Sequence, residues 1–406
     1  MRRRAFVFVL CVIIVVLRRP DAIFHAQFWA EDGKIWYAEA YHLGIQSLWQ
    51  PATGNVELLP RLVAWVAQIF PLSAAPLFFN CLGIVIQILP ALFLMSPRCR
   101  ELGSIGLRGL LAFIYLGLPN SYEMNVNIAN AQWRLALLML LVVFAEPDNN
   151  AIWKTFDYLT LVFGALTGPF IILAVPVAAF MFFKNQGNRR RLEVCLIAVA
   201  GAVIQMLVLF ETAGVDRLVH AARDASPQML IRLLAKQVFL APLLGWRTVG
   251  KYSLESKWGF RAAVAVALVG IAIELFVFLK SSRYVKLFLV FAAGVLAVSL
   301  ANPMTAPPQW PNLLVAGGIR YWFFPMLAFV ACTVWLLERN NPVWLRVAGS
   351  LLLLIMLFGI IQDWGNPRLK DLRFQDYARK FEEAPSGTFI VIPLNPEGWS
   401  MELMKR

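Results

Sequence analysis

Phe28-Trp29-Ala30-Glu31-Asp32-Gly33-Lys34-Ile35-Trp36-Tyr37 places two adjacent carboxylates just after the first apolar segment of a largely lipid-soluble chain. Two carboxylates at the mouth of a membrane protein are costly to keep half-buried. General-base chemistry on a membrane-borne substrate is a physical reason to keep them there. In a partly dehydrated pocket one carboxylate has a raised pKa and the other stays ionised, which suits deprotonation of an acceptor hydroxyl. Asp32, followed by Ile35, Trp36 and Ala40, also opens an amphipathic helix well as an N-cap. The two roles are compatible.

Working outward, the 406 residues are 60% hydrophobic and 15% charged, with a mean hydropathy of +0.66. A soluble core of this size needs more polar surface to cover it. The apolar runs are long and unbroken, without the period-2 alternation of a β-barrel. The predicted fold class is therefore an all-α polytopic membrane protein. The net charge of +13 comes from bases clustered at the ends of apolar runs: Arg2 to Arg4, Arg98/Arg100, Arg189 to Arg191, and Lys280/Arg283/Lys286. That is the pattern of cytoplasmic loops facing anionic lipid, and it argues against nucleic acid as a partner. The five cysteines, Cys11, Cys81, Cys99, Cys195 and Cys332, have neither zinc-site spacing nor disulfide placement.

The basic start and the apolar run Ala5 to Leu17 imitate a signal peptide, but Arg18-Arg19-Pro20-Asp21 and a poor cleavage pattern favour a retained anchor. Arg18 and Arg19, on the wrong side for the positive-inside rule, are expected to snorkel. Spans are predicted near 5–24, 75–95, 105–119, 128–145, 153–167, 168–183, 192–210, 260–279, 284–300, 319–337 and 343–361, about eleven in all. This threading sends the basic loops 96–108, 184–191, 280–286 and 338–346 to the cytoplasm, with the N-terminus. It requires that Val56 to Leu72 lie along the outer surface or form a non-crossing hairpin. Residues 1–361 then form a transmembrane domain with outer loops 25–74 and 211–259, and 362–406 form a short outer tail. Pro227 to Trp246 reads as an interfacial amphipathic helix with Arg232 and Lys236 on its polar side. Thr388 to Ile392 reads as a single strand, followed by a turn-rich stretch to Trp399.

The outer side collects the polar groups. Glu123 is the second carboxylate of interest, in Pro119-Asn-Ser-Tyr-Glu-Met-Asn-Val-Asn-Ile-Ala-Asn-Ala-Gln-Trp-Arg134. Amides such as Asn127 and Asn130 both donate and accept, as sugar hydroxyls require, though they also cap helix starts; Trp133 stands just before the closing Arg134. Arg61, Arg134 and Arg320 lie at outer helix ends, where an arginine either holds a phosphate through paired hydrogen bonds or snorkels. Arg320 in Gly317-Gly318-Ile319-Arg320-Tyr321-Trp322 is the strongest candidate, with glycines that let the backbone approach a ligand and Tyr321 beside it. His220 and Arg223 lie in the long outer loop and read first as surface residues. Three histidines and no His/Cys/acid cluster argue against a transition-metal site. A divalent cation shared by Glu31 or Asp32 and a substrate phosphate stays compatible with the pattern. Glu274, inside an apolar helix, is a candidate intramembrane relay.

The order of features is an N-terminal helix, an outward acidic pair, a helix bearing Trp36-Tyr37-Ala38-Glu39-Ala40, then Gly44, Pro51, Pro60 and a multi-helix body. It resembles the GT-C superfamily of membrane glycosyltransferases, which includes the bacterial lipid A aminoarabinose and protein mannosyl transferases. The resemblance covers the first 145 residues in motif and the rest in hydropathy. It implies an acid in the first outer loop acting as base (Glu31 or Asp32), a second acid (Glu123), and arginines such as Arg320 on the phosphate of a polyprenyl-phosphate sugar. The acids stand as Glu-Asp where Asp-Glu is commoner. In build the chain is similar to the serotype-converting glucosyltransferases that decorate O-antigen, without the sizeable C-terminal domain of many relatives.

The resemblance thus implies inverting transfer of one sugar from a polyprenyl-phosphate donor to a hydroxyl of a lipid or glycan acceptor, at the outer face of a bacterial inner membrane. Two rivals are an O-antigen polymerase or ligase, in which Arg217, His220 and Arg223 would matter more, and a lipid-linked sugar flippase. A non-enzymatic assembly partner of another glycosyltransferase is a third reading.

Overall fold

The computed structural model describes residues 2–185, 188–212, 223–252, 256–315 and 317–406. Helices occur at each predicted place: Arg2–Arg18, Ala75–Leu94, Ile105–Gly117, Ala131–Phe144, Ala151–Ala165, Phe170–Lys184, Arg189–Glu211, Lys257–Lys280, Arg283–Ala301, Phe323–Leu336 and Val343–Gln362. Among the described residues six helical stretches are long and apolar enough to cross a membrane. They are Ala75–Leu94, Arg189–Glu211, Lys257–Lys280, Arg283–Ala301, Ile319–Leu336 and Val343–Gln362.

Sequence pattern explains which helices face outward. Arg189–Glu211 exposes Leu196, Val199, Val203, Leu207 and Phe210, an apolar stripe at helical spacing suited to lipid. Ala131–Phe144 is instead buried on every face, and stands at the centre of the bundle. Its 14 residues rise about 21 Å, short of a hydrocarbon core of about 30 Å. The loop 118–130, irregular apart from a 3-10 turn at Tyr122–Met124, leads into it. Irregular backbone is tolerated at such depth only where protein covers it, and Asn120, Ser121, Met124, Asn125, Val126, Asn127 and Ile128 are all buried. The predicted helix start at 128 is thereby moved to Ala131.

Bases gather at the end of the bundle remote from this loop. Arg98 donates through both Nη atoms to Asp157 at 2.8 Å, and Arg190 reaches the same carboxylate at 3.3 Å. Arg191 caps the carbonyls of Val143 and Ala145. Arg100, Ser282 and Arg339, from three of the predicted basic loops, line one cavity there.

At the opposite end the structure bears on four expectations. Val56 to Leu72 contains the helix Leu58–Ala67, about 15 Å long and so too short to span. It turns Pro60, Arg61, Val63, Ala64 and Ala67 inward and leaves Trp65 exposed, with Ile69 and Phe70 just beyond. Pro227–Leu233 continues through a π-helical turn, Leu234–Leu240, and turns one face into the bundle. Leu233, Ala235, Val238 and Phe239 are buried, Phe239 packs on Gly270 and Phe329, and Arg232 lies over the Phe260 ring at 5.4 Å.

Arg18 and Arg19 do not snorkel: both are 2% exposed. Arg18 donates to the carbonyls of Leu116, Leu118 and Trp364. Arg19 donates to those of Tyr122 and Asn125, at 3.0 and 2.8 Å. The guanidinium forks satisfy carbonyls that a buried irregular loop leaves without helical partners.

The expected single strand is half of a hairpin. β1, Phe389–Leu394, pairs antiparallel with β2, Trp399–Met404, after a helix Phe374–Glu383. The tail packs its Ile392, Leu394, Met401, Leu403 and Phe374 against Phe28, Trp36, Tyr37 and Phe79, a second apolar core beneath the acidic loop.

Candidate active site

Glu31 and Asp32 lie where the chain enters a π-helical turn, Asp32–Tyr37. Such turns are rare and cluster at functional sites. The residue before them, Ala30, has φ +37°, a conformation that costs a residue with a Cβ of order 1–3 kcal/mol. Its N–H is held by the Asn395 carbonyl of the tail. On the other side Leu394 presses on Gly33, where a Cβ would stand 2.7 Å from a Leu394 methyl. The tail therefore sets the backbone of the acidic turn.

Asp32 is fully buried. Its Oδ2 accepts from the Ile128 N–H at 3.3 Å, and its Oδ1 has no partner within the protein. Burial pushes its carboxyl well above the usual range, and the neighbouring Glu31 charge adds to the rise. Glu31 is half-buried. Burial also raises its carboxyl, with Arg320 opposing and Glu123 reinforcing the shift. Glu31, Asp32, Glu123 and Arg320 thus share one electrostatic neighbourhood, although they come from three distant segments.

Glu123 and Arg320 bind each other. The Arg320 Nη1 donates to Glu123 Oε1, and the Arg320 backbone N–H donates to Oε2 at 3.3 Å. Glu123 thus anchors the Arg320 guanidinium through both carboxylate oxygens. The Arg320 guanidinium lies 5.2 Å from the Tyr321 ring centroid and keeps a quarter of its surface exposed. The Tyr321 hydroxyl accepts from the Met304 N–H at 2.9 Å.

The amide-rich run is used internally. Asn127 and Asn130 donate to the Glu123 carbonyl at 2.8 and 3.1 Å, and Asn127 Oδ1 accepts from the Asn130 N–H at 2.9 Å. Asn125 Oδ1 accepts from Gln87 at 2.9 Å and from Arg134 at 2.8 Å. These amides build the loop that carries Glu123 and Ile128. Val126, β-branched yet at φ +56°, is held by Gln87 through its N–H at 3.1 Å.

Arg134 and Arg61 are not at the surface. Arg134 lies under the amide loop, over the rings of Tyr115 and Phe323 at 5.0 and 4.6 Å, with Nε and Nη1 unpartnered. Arg61 pairs with Glu39 at 2.7 Å and stacks on Trp36 at 5.1 Å. Trp133 packs edge-on against Phe170 at 4.6 Å, and beside Tyr321 and Phe324. Arg223 is exposed and takes part through its carbonyl, which accepts from the Trp310 N–H at 3.0 Å. His220 and Arg217 lie outside the described residues.

Glu57, not among the residues singled out from the sequence, shares the charge neighbourhood of Glu31. It is 3% exposed. Burial lifts its carboxyl to about 8, with Arg61 opposing and Glu31 reinforcing. Nothing local in the sequence separates it from a wetted acid before a helix. Among the described residues no three His, Cys, Asp or Glu side chains are grouped so as to hold a metal ion. Glu31 or Asp32 would need ligands from a bound substrate to do so.

No protein-family model matches the chain, and no curated protein matches it. Among solved structures it is similar to an oligosaccharyltransferase of Archaeoglobus fulgidus, crystallised with a tethered acceptor peptide. The identity is 13% and the TM-score 0.45, over 94% of this chain and 57% of that enzyme. The chain therefore spans little more than half the length of that protein.

Proposed function

We propose that the chain is an integral membrane glycosyltransferase that moves one sugar from a polyprenyl-phosphate donor to an acceptor hydroxyl. The observation that carries the reading is that the half-buried Glu31, raised by burial, lies within electrostatic reach of the partly exposed, Glu123-anchored guanidinium of Arg320. A base and a phosphate ligand in one neighbourhood are what direct glycosyl transfer requires.

In this mechanism Arg320 holds the donor phosphate, and Glu123 keeps the guanidinium in place. The acceptor hydroxyl gives its proton to Glu31 as its oxygen attacks the anomeric carbon. The bond from that carbon to the phosphate oxygen breaks, and polyprenyl phosphate leaves. One displacement inverts the anomeric centre. Asp32 acts from behind: it fixes Ile128 and, through it, the loop that bears Glu123. A raised carboxyl pKa brings a base closer to neutral pH, where proton transfer is most effective. The compartment that fits is a bacterial inner membrane, with the basic end cytoplasmic and the acidic site and tail periplasmic.

The test is release of polyprenyl phosphate from a panel of polyprenyl-phosphate sugars by purified protein, beside Glu31→Gln and Arg320→Gln. Release by the wild type that both variants lose, at unchanged Tm, supports the reading. Release that survives in folded Glu31→Gln sinks it.

A further inference from the structure

A cavity of about 790 Å³ opens between the helices Ala75–Leu94, Ile105–Gly117, Ala131–Phe144, Arg283–Ala301 and Phe323–Leu336. Its size is that of small-molecule sites, roughly 300–1,000 Å³. Its inner walls are apolar, including Leu94, Leu111, Leu137, Phe288 and Leu327. The helix ends that line its mouth carry both signs of charge, Arg100 and Arg339 with Glu101 and Glu338, and the hydroxyls of Ser104 and Ser282. That division, dry within and zwitterionic at the rim, is the profile of a lipid and not of a soluble metabolite.

The charges at the mouth are not equally engaged. Arg100 is tied to Glu146 at 2.9 Å. Arg339 is exposed and makes no ion pair among the described residues. Glu338 is half-buried beside it, and burial raises its carboxyl. An unpaired cation next to a dehydrated carboxyl complements a head group with a phosphate and an ammonium on adjacent carbons. A purely anionic head group would meet the acids unfavourably.

We propose that this cavity is a specific phospholipid site, with an acyl chain between the helices, the phosphate at Arg339 and the ammonium of a phosphatidylethanolamine at Glu338. This lipid is not the sugar donor. Arg320 and Leu336 stand at opposite ends of an 18-residue helical stretch, about 25 Å apart, so a head group at Arg339 lies far from Glu31. The site is independent of whether the acids transfer a sugar.

The test uses the full-length protein in detergent, offered equal phosphatidylethanolamine and phosphatidylglycerol and read by native mass spectrometry. The wild type is expected to retain one phosphatidylethanolamine under activation that strips loosely bound lipid. Ala331→Trp, which fills the cavity, should lose it. Arg339→Glu should retain roughly ten-fold less, the loss of one charge-assisted contact. Glu338→Lys, at a helix end where folding is not at stake, should reverse the preference toward phosphatidylglycerol. No retained lipid on the wild type, equal retention of both lipids, or an unchanged preference in Glu338→Lys overturns the proposal. Displacement of the retained lipid by added polyprenyl phosphate overturns it too, since the cavity would then belong to the donor.

Discussion

Asp32 Oδ2 accepts a hydrogen bond from the backbone N–H of Ile128 at 3.3 Å, across 96 residues of sequence. This contact docks the acidic turn onto the loop that presents Glu123. Arg19 makes a second tie, since its guanidinium donates to the Tyr122 and Asn125 carbonyls while lying 5.3 Å from the Trp29 ring centroid. Two loops that would each be irregular alone are thus held as one surface. Asp32→Leu leaves the Ile128 N–H buried and unpaired, at a cost of about 1–3 kcal/mol. Asp32→Asn keeps an acceptor and should cost much less in thermal unfolding.

The pair of Arg320 and Glu123 is partly exposed, so its worth is below the roughly 3–5 kcal/mol seen when a fully buried pair is broken. Arg320→Gln and Glu123→Gln should each lower stability by about 1–2 kcal/mol. The double variant should lose less than the sum of the two. Strict additivity in denaturation would show that the pair does not act as a unit.

Glu57 predicts a pH dependence. Its folded pKa, about 8, lies above its ordinary 4.5, so the native state holds the proton more tightly than the unfolded chain. Its contribution is fully present below pH 4.5 and is lost as pH rises through 8. Glu57→Gln removes the titration. Its Tm should equal that of the wild type near pH 4 and exceed it above pH 8. A constant offset at both pH values would rule out this source.

Arg18 predicts a charge-independent penalty. Its fork satisfies the carbonyls of Leu116, Leu118 and Trp364, and a lysine cannot reach several at once. Arg18→Lys should destabilise by about 1–3 kcal/mol, although the charge is kept. Wild-type stability in Arg18→Lys would mean that the charge alone matters.

Gly33 predicts a coupling between the tail and the acids. A methyl at Gly33 stands 2.7 Å from a Leu394 methyl, and Leu394 is packed. Gly33→Ala should cost about 1–2 kcal/mol and speed hydrogen exchange in β1 and β2. Leu394→Ala, added to Gly33→Ala, makes room for the new methyl, so the pair should lose less than the two single costs together. A strictly additive loss would place the strain elsewhere.

Much of the fold was legible because hydropathy and charge act locally. The helices fall where the apolar runs lie, and the basic loops meet at one end. The second strand of the hairpin was missed because Trp399-Ser-Met-Glu-Leu-Met404 follows a turn-rich stretch and is strongly apolar on one face alone. Arg18 and Arg19 were misread because the rule for interfacial arginines assumes water within reach. Here the nearest acceptors are the carbonyls of a buried loop.

By itself, the sequence determined that this chain belongs in a membrane, where its helices run, and which carboxylates and arginines stand near helix ends. Those properties follow from the free energy of moving each segment out of water, which depends on local composition. The tertiary structure alone decided which of those groups meet. It paired Glu123 with Arg320, turned Asn127 and Asn130 onto their own loop, sank Arg61 and Arg134 beneath aromatic rings, and brought Glu57 to the acids. The reason is that a buried charge or amide takes whatever partner the packing brings within about 3 Å, and packing is a property of the whole chain.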